Sequence, residues 1–293
     1  MNIISLLKFI SSHPLNEKNK TKSIIRFLKW QLNTKLNPFP IVYPYTEKAK
    51  LIIQKGMTGA TGNLYCGLHE YHDMAFLLHL LRAEDLFIDI GANIGSYTVL
   101  ASAHVGAETF SFEPVPSTFS HLINNISINQ IMDKVRPFNI GLGSQKSMIK
   151  FTSTLDTMNH VASQDEVGTI NVSIELLDDI LQDTKSPILL KIDVEGFETE
   201  VIKGASKTLA KSGLKAIIIE LNGSGARYGY DEREIHNTLI NFDFKPFIYN
   251  PKARKLTEVE KFGTHNTIYI RDLDFVKQRL MTAAKIKILN NEL

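Results

Sequence analysis

The side chains best placed to do chemistry fall in three short stretches. LFIDIGANIGSY (residues 86–97) carries an apolar strand into Asp89 and then into Gly91, Asn93 and Gly95. FSFEPVPSTFSHLINNI ends a second strand at Glu113, 18 residues beyond Gly95. ILLKIDVEGFETEVIKGA gathers Lys191, Asp193, Glu195 and Glu198 at the end of a third strand and in the first turn of the next helix. A strand, a glycine turn and a helix in succession form a nucleotide-binding arrangement. The glycines permit unusual dihedrals and close backbone approach, and the helix start turns free N–H groups toward the ligand.

Two ligand classes compete for that turn. A dinucleotide calls for G-x-G-x-x-G and an anion-friendly surround. Here the turn reads GANIGSY, with Asn93 where the second glycine would stand and Asp89 just upstream. A carboxylate there opposes a diphosphate but suits a ligand bearing an ammonium and a sulfonium, as S-adenosylmethionine (SAM) does. Asn93 can donate to a carboxylate or to a ribose oxygen. Glu113 is suited to a grip on ribose hydroxyls, which both ligand classes carry. A lone Glu after a strand often only caps a helix, but its spacing from the glycine turn favours the site. Three acids beside Lys191 exceed what helix capping needs. Open α/β sheets bind ligands outside the carboxyl ends of their strands, so Asp193 and Glu195 are expected in the site and Glu198 is expected to serve its helix.

The elements that must position these residues read as alternating strands and helices. Helical patterns cover 70–81, 94–105, 117–128, 197–209 and 231–241. Strand patterns cover 86–90, 108–112, 135–140, 188–192, 214–221, 244–248 and 267–270. Such repetition implies a mostly parallel sheet covered on both faces, with an antiparallel end where two late strands are joined by a loop. Residues 141–170 are polar and turn-rich, with room for a hairpin. Three boundaries are expected: a basic helical extension and Pro-rich linker over 1–45, the main domain over 46–272, and a terminal helix over 273–293.

Composition narrows the class. The 293 residues are 43% hydrophobic and carry a net charge of only +2, which gives no general electrostatic reason to bind nucleic acid. The single cysteine, Cys66, rules out an internal disulfide and a cysteine-based zinc site. No apolar run approaches the roughly 20 residues of a membrane span. The N-terminal MNIISLLKFISSHP is read as an uncleaved segment, since Lys8 breaks its apolar part and no small-residue cleavage site follows. A cytoplasmic location, peripheral to a membrane at most, is expected. Charge is uneven: residues 1–36 hold seven Lys/Arg against Glu17 alone, a net +6, and the remainder carries −4. Within SIIRFLKWQL (23–32), Ile24, Ile25, Leu28 and Leu32 lie near one helical face, with Arg26 and Lys29 off it. Packing of that helix on the domain is the simpler expectation; contact with anionic lipid or a partner is the other.

With these pieces in order, the sequence resembles the FkbM family of SAM-dependent methyltransferases, roughly from Asn63 to Asn222. The resemblance rests on NLYCGLHEYHDMAFL, FIDIGANIGSYTVLAS, FEPVPSTFSHLINNI, LLDDIL, LLKIDVEGFETEVIKGA and IIIELN in this order. It implies a Rossmann-like, seven-stranded α/β fold with an antiparallel last strand. It also implies methyl transfer from SAM to a hydroxyl of a sugar, a glycan or glycolipid, or a natural-product alcohol. Carried over by residue, Asp89, Gly91, Asn93, Gly95 and Glu113 hold SAM, together with Asp193, and Asn139 lies near the adenine. Residues 1–50 and about 230–293 fall outside the resemblance, so the acceptor is not carried over.

An alcohol is a weak nucleophile at neutral pH, and a base that takes its proton would help. The candidates are Asp193, Glu195, Glu220 and His69, with His72 and His160 behind them. Asp193, Glu195 and Glu220 could hold Mg²⁺, but they serve equally as partners for hydroxyls or for Lys191, and no metal is expected. The loop GSGARYGYDE (223–232), with Arg227, Tyr228 and Tyr230, is an expected place for acceptor contacts. Three rival readings remain. A nicotinamide oxidoreductase is opposed by the Asp89/Asn93 pattern. A non-catalytic glycan- or lipid-binding module would show a damaged cofactor site. A nucleic-acid methyltransferase would need a basic face and often an Asn/Asp-Pro-Pro-aromatic loop, where this chain has KIDVEGF.

Overall fold

The chain is described here from a computed structural model covering residues 3–155, 158–163, 166–263 and 265–293. The central sheet forms around five short, mostly apolar segments. β3 (Leu86–Ile90), β4 (Glu108–Phe112), β9 (Leu189–Ile192), β10 (Ala216–Glu220) and β13 (Asn266–Ile270) are buried almost end to end. Strands buried on both faces need helices on both sides, and that is what the connections supply. β5 (Val135–Phe138), β11 (Lys245–Asn250) and β12 (Lys255–Glu258) complete the sheet in the order β12-β11-β13-β10-β9-β3-β4-β5. The strands from β5 to β10 run parallel; β13 is antiparallel to β10 and to β11. Seven strands therefore follow the expected fold, and β12 adds an eighth as a hairpin partner of β11.

One face of the sheet packs against α4 (Tyr71–Leu80), α5 (Ser96–Val99) and α11 (Leu273–Thr282) through Phe87, Leu189, Ile218 and Ile270. The other packs against α8 (Glu198–Lys203), α9 (Ser206–Ala210) and α10 (Glu232–Asn241) through Ile88, Leu190, Ile217 and Ile219. α6 (Pro116–Ile128) follows β4, with proline in its first turn, where the missing N–H costs nothing.

Several elements differ from expectation. The helix expected over 94–105 is α5 continued by a π-helical segment, Leu100–Val105. The helix expected over 197–209 is broken into α8 and α9. A Cβ at Gly204 would lie 2.0 Å from the Gly143 carbonyl oxygen, so backbone packing at that point dictates the break. The expected terminal helix stops at Thr282. The residues after it form a small hairpin, β14 (Lys287–Ile288) with β15 (Asn291–Glu292), that buries Ile286, Ile288 and Leu293. Arg254 holds this end by donating to the carbonyls of Leu280, Ala283 and Leu293.

The N-terminal extension comprises α1 (Ile3–Ser12) and α2 (Lys20–Leu36) and leads into a hairpin of β1 (Ile41–Pro44) and β2 (Lys50–Ile53). The Pro-rich linker is thus the first strand of that hairpin. α2 packs inward through Ser23, Phe27 and Trp30, so Ile25, Leu28 and Leu32 point outward. α3 (Thr58–Cys66), with two glycines and not foreseen as a helix, packs against α2 and the β2 strand of the hairpin. A three-stranded flap, β6 (Gly141–Leu142), β8 (Thr169–Glu175) and β7 (Ser147–Thr152), stands over the carboxyl ends of β4 and β5. It contains the hairpin expected in 141–170.

Candidate active site

The carboxyl ends of β3, β4, β9 and β10 open on a cavity of about 230 Å³. Its walls are the glycine turn, Glu113, the flap residues Leu142, Phe151 and Ile174, and the α3 residues Thr58 and Asn63. Three backbone conformations shape the turn. Gly91 has φ +77°, and a Cβ there would sit 1.8 Å from the Asp193 carbonyl oxygen; only glycine lets the ends of β3 and β9 meet. Gly95 has φ +89° and lies against Leu122, so it shapes the turn and does not line the cavity. Asn93 occupies the left-handed region at φ 50°, which asparagine tolerates better than most side chains, and its Oδ1 accepts from the Ile94 N–H at 2.8 Å. That accounts for an asparagine where a dinucleotide turn would have glycine.

Glu113 is nearly buried. Its two oxygens accept from the backbone N–H groups of Asn93 (3.0 Å) and Val115 (2.9 Å). Burial raises its pKa to about 7 against the pull of these donors. Asn139 does not line the cavity. Its Nδ2 donates to the carbonyls of Glu113 and Pro114 and so braces the loop that carries Glu113.

Asp89 is also set back from the cavity. It is 1% exposed, accepts from Thr98 Oγ1 at 2.6 Å and, among the described residues, leaves its Oδ1 without a partner. Burial raises its pKa, and the neighbouring charge of Lys191 opposes that rise. Lys191 pairs in register with Asp89 across β3 and β9. Its Nζ donates to Asp193 Oδ2 at 2.8 Å and lies 4.9 Å from the centre of the Tyr97 ring. Burial works against the ammonium, but Asp193, Glu70 and Asp89 outweigh it and hold Lys191 protonated.

Beyond Lys191 the acids crowd together. Asp193, Glu195 and Glu220 each bring a carboxylate oxygen within 4.8 Å of the others. Burial and the charge of Asp193 raise Glu195 to about 7; burial, Asp193 and Glu195 raise Glu220 to about 8. Glu195 stands at φ 53°, and its carbonyl accepts from Arg227 at 3.5 Å. Glu198 faces away from the cavity: its Oε1 accepts from the N–H groups of Val194 and Gly196, the helix-serving role expected of it.

His69 sits where this cavity meets a second cleft of about 640 Å³, and Glu70 and Glu220 line both. The His69 Nδ1 is buried without a partner among the described residues, and burial lowers its pKa. His72 bonds the Tyr249 carbonyl through Nδ1, and His160 bonds Met158 and Glu166, so neither ring lines the cofactor cavity. Arg227, Tyr228 and Tyr230 also lie outside it, the two tyrosine hydroxyls bonding the Val161 carbonyl and Glu200. Sequence reading passed over Asn63 and Tyr97 as site residues. Asn63 links Ser96, Gly59 and the N–H of His69; Tyr97 buries its hydroxyl near Glu70. An Asn in a glycine-rich stretch and a Tyr in a helix's first turn carry no distinctive pattern.

The lining discriminates between cofactors. It holds Glu70, Glu113, Asp193, Glu195 and Glu220 against the cation of Lys191. Such a surface repels a diphosphate and welcomes a sulfonium and an ammonium. The residues fit SAM, and this fold with this cavity defines a SAM-dependent methyltransferase. Residues 89–246 match the methyltransferase FkbM domain, and the chain belongs to that family.

The hexuronic acid methyltransferase AglP of Haloferax volcanii is 27% identical over 202 residues, covering 68% of this chain and 72% of that protein. Methyltransferase 1 of Beauveria bassiana is 30% identical over 146 residues, covering 41% of this chain and 58% of its own length. Among solved structures, a methyltransferase FkbM from Methylobacillus flagellatus aligns with a TM-score of 0.47 and 16% identity, over 73% of this chain and 55% of that one.

Proposed function

We propose that this enzyme methylates a hydroxyl oxygen of a sugar or a sugar-bearing molecule, with Glu220 as the base. The observation that carries the reading is the junction of the two cavities. Glu220 borders both, so it touches the cofactor space and the space left for an acceptor. A base is most useful when its pKa lies near the working pH, and Glu220, raised to about 8, meets that condition. His69 lines the same junction, but burial lowers its pKa and leaves it the weaker base. It accepts a hydrogen bond and orients the acceptor. The similarity to a hexuronic acid methyltransferase supports a sugar acceptor, and the half-buried Phe9 in the wall of the second cleft offers a ring against which a sugar packs.

SAM, when bound, supplies an electrophilic methyl group on a sulfonium. The chain does the rest. Glu113 and the turn at Gly91 and Asn93 hold the nucleoside, Asp193 and Glu195 face the cationic part, and the flap excludes water. Asp89 and Gly95 act from behind by fixing the turn, and Asn139 acts by bracing the Glu113 loop beside the adenine. Positive charge arriving beside Glu220 counters the repulsion from its neighbours, so the carboxyl ionises when a proton must be taken. The same three acids have a spacing that suits a divalent cation; the reading adopted here uses them as proton acceptor and hydroxyl partners.

The test is transfer of labelled methyl from SAM to a panel of sugars, uronic acids and simple alcohols, using wild type, Glu220→Gln and His69→Ala. Glu220→Gln should lower kcat by about 10²- to 10⁴-fold, a far larger change than in SAM affinity. Full turnover by Glu220→Gln, with loss confined to His69→Ala, would move the base to His69. Transfer to an amine in place of any hydroxyl would end the O-methylation reading.

A further inference from the structure

The outward face of α2 has no role in the chemistry above. Ile25, Leu28, Leu32 and Leu36 follow one another at helical spacing, and all four are exposed, from 45% at Ile25 to 84% at Leu36. At about 100° per residue they span a stripe of roughly 80°. It lies opposite Phe27 and Trp30, which pack on the domain. Lys22 and Lys29 flank the stripe on one side and Lys35 on the other, all exposed. Beside it runs a groove of about 490 Å³ with an apolar floor of Trp30, Ile41, Tyr43 and Leu64, and with Lys22, Arg26 and Lys29 at its edge. α2 contains no Asp or Glu.

We infer that α2 is a docking element that seats the enzyme on a bilayer carrying anionic lipids. The stripe enters the boundary between headgroups and acyl chains, and the flanking lysines meet lipid phosphates. Charge complementarity selects this occupant. A second copy of the chain docking through the same face would set lysine against lysine with no acid on either helix. A neutral apolar partner would leave the lysines unused. The position has a consequence for function. α3 touches α2 through Phe27 and Tyr65 on one side and lines the cofactor cavity through Thr58 and Asn63 on the other. One helix therefore separates the docking face from the chemistry. The inference does not depend on which hydroxyl is methylated.

Flotation of the full chain with vesicles tests it. The protein should float with phosphatidylcholine vesicles containing phosphatidylserine and stay behind with phosphatidylcholine alone. Leu28→Glu with Leu32→Glu should abolish flotation. Lys22→Gln, Lys29→Gln and Lys35→Gln together should weaken it about 100-fold. Because all five side chains are exposed, circular dichroism and the melting temperature should match wild type. The inference fails if folded wild type stays behind with both vesicle types, or if both variants float as it does. It also fails if ultracentrifugation without lipid shows a dimer that Leu28→Glu with Leu32→Glu converts to monomer, since the face would then join two copies.

Discussion

The two ends of β3 handle charge in opposite ways. At the amino end, Asp85 is buried and fully engaged. It accepts from Arg279 at 2.7 Å and from the Arg82 N–H at 2.6 Å, and this ties α11 to the sheet. At the carboxyl end, Lys191 is shared by Asp89 and Asp193, while Glu195 and Glu220 face like charges at close range. One end satisfies its charges and holds the fold together. The other keeps acids in mutual repulsion, an arrangement that stability alone would not retain and that a cationic ligand relieves.

That contrast can be broken from either side. Glu220→Gln should give the largest change, lowering kcat by about 10²- to 10⁴-fold while raising the melting temperature, because a repelling charge is removed. Arg279→Met should do the reverse. It leaves Asp85 buried without its cation, at a cost of about 3–5 kcal/mol, and chemical denaturation should show this while kcat of the folded fraction stays near wild type. Glu113→Gln should weaken SAM binding about 10- to 100-fold by calorimetry and cost about 1–3 kcal/mol in stability, because an amide cannot accept from both the Asn93 and the Val115 N–H groups.

The smallest effect is in the pH dependence. A carboxyl whose folded pKa lies above its ordinary value favours folding while protonated and loses that contribution as it ionises. For Glu220 the window runs from the ordinary 4.5 to about 8. The melting temperature without cofactor should therefore fall by about 2–4 °C for each kcal/mol lost as pH rises through this window. Glu220→Gln should flatten the slope, and saturating SAM should reduce it.

Much of this was legible in the chain. Apolar quintets such as LFIDI and AIIIE leave little choice but buried strands, and an open parallel sheet puts functional groups just past their carboxyl ends. Glu113, Asp193, Glu195 and Glu220 are found there. The set-back position of Asp89 was not legible, because strand alternation tells which face a side chain takes and not that Thr98 holds this one in the core. α3 escaped notice because TGATGN reads as loop; tertiary contacts, among them Tyr45 and His69 on Asn63, hold it as a helix. The last residues have a good helical composition, yet Ile286 and Ile288 find burial only at a spacing of two. The orientation of α2 was also hidden, since aromatic Phe27 and Trp30 outcompete the aliphatic stripe for the core.

The gap at Gly91 reaches further than the turn it shapes. Not even a methyl group fits between it and the Asp193 carbonyl, so the loop that receives the nucleoside and the loop that carries the acids are in direct backbone contact. Neither can shift without pushing the other. Whatever order the nucleoside imposes on its loop is passed on to the acids that await the acceptor. Any coupling carried by this contact is reciprocal: an acceptor that settles the acids should tighten SAM binding by the factor by which SAM tightens acceptor binding, which calorimetry with each substrate alone and then with both would check.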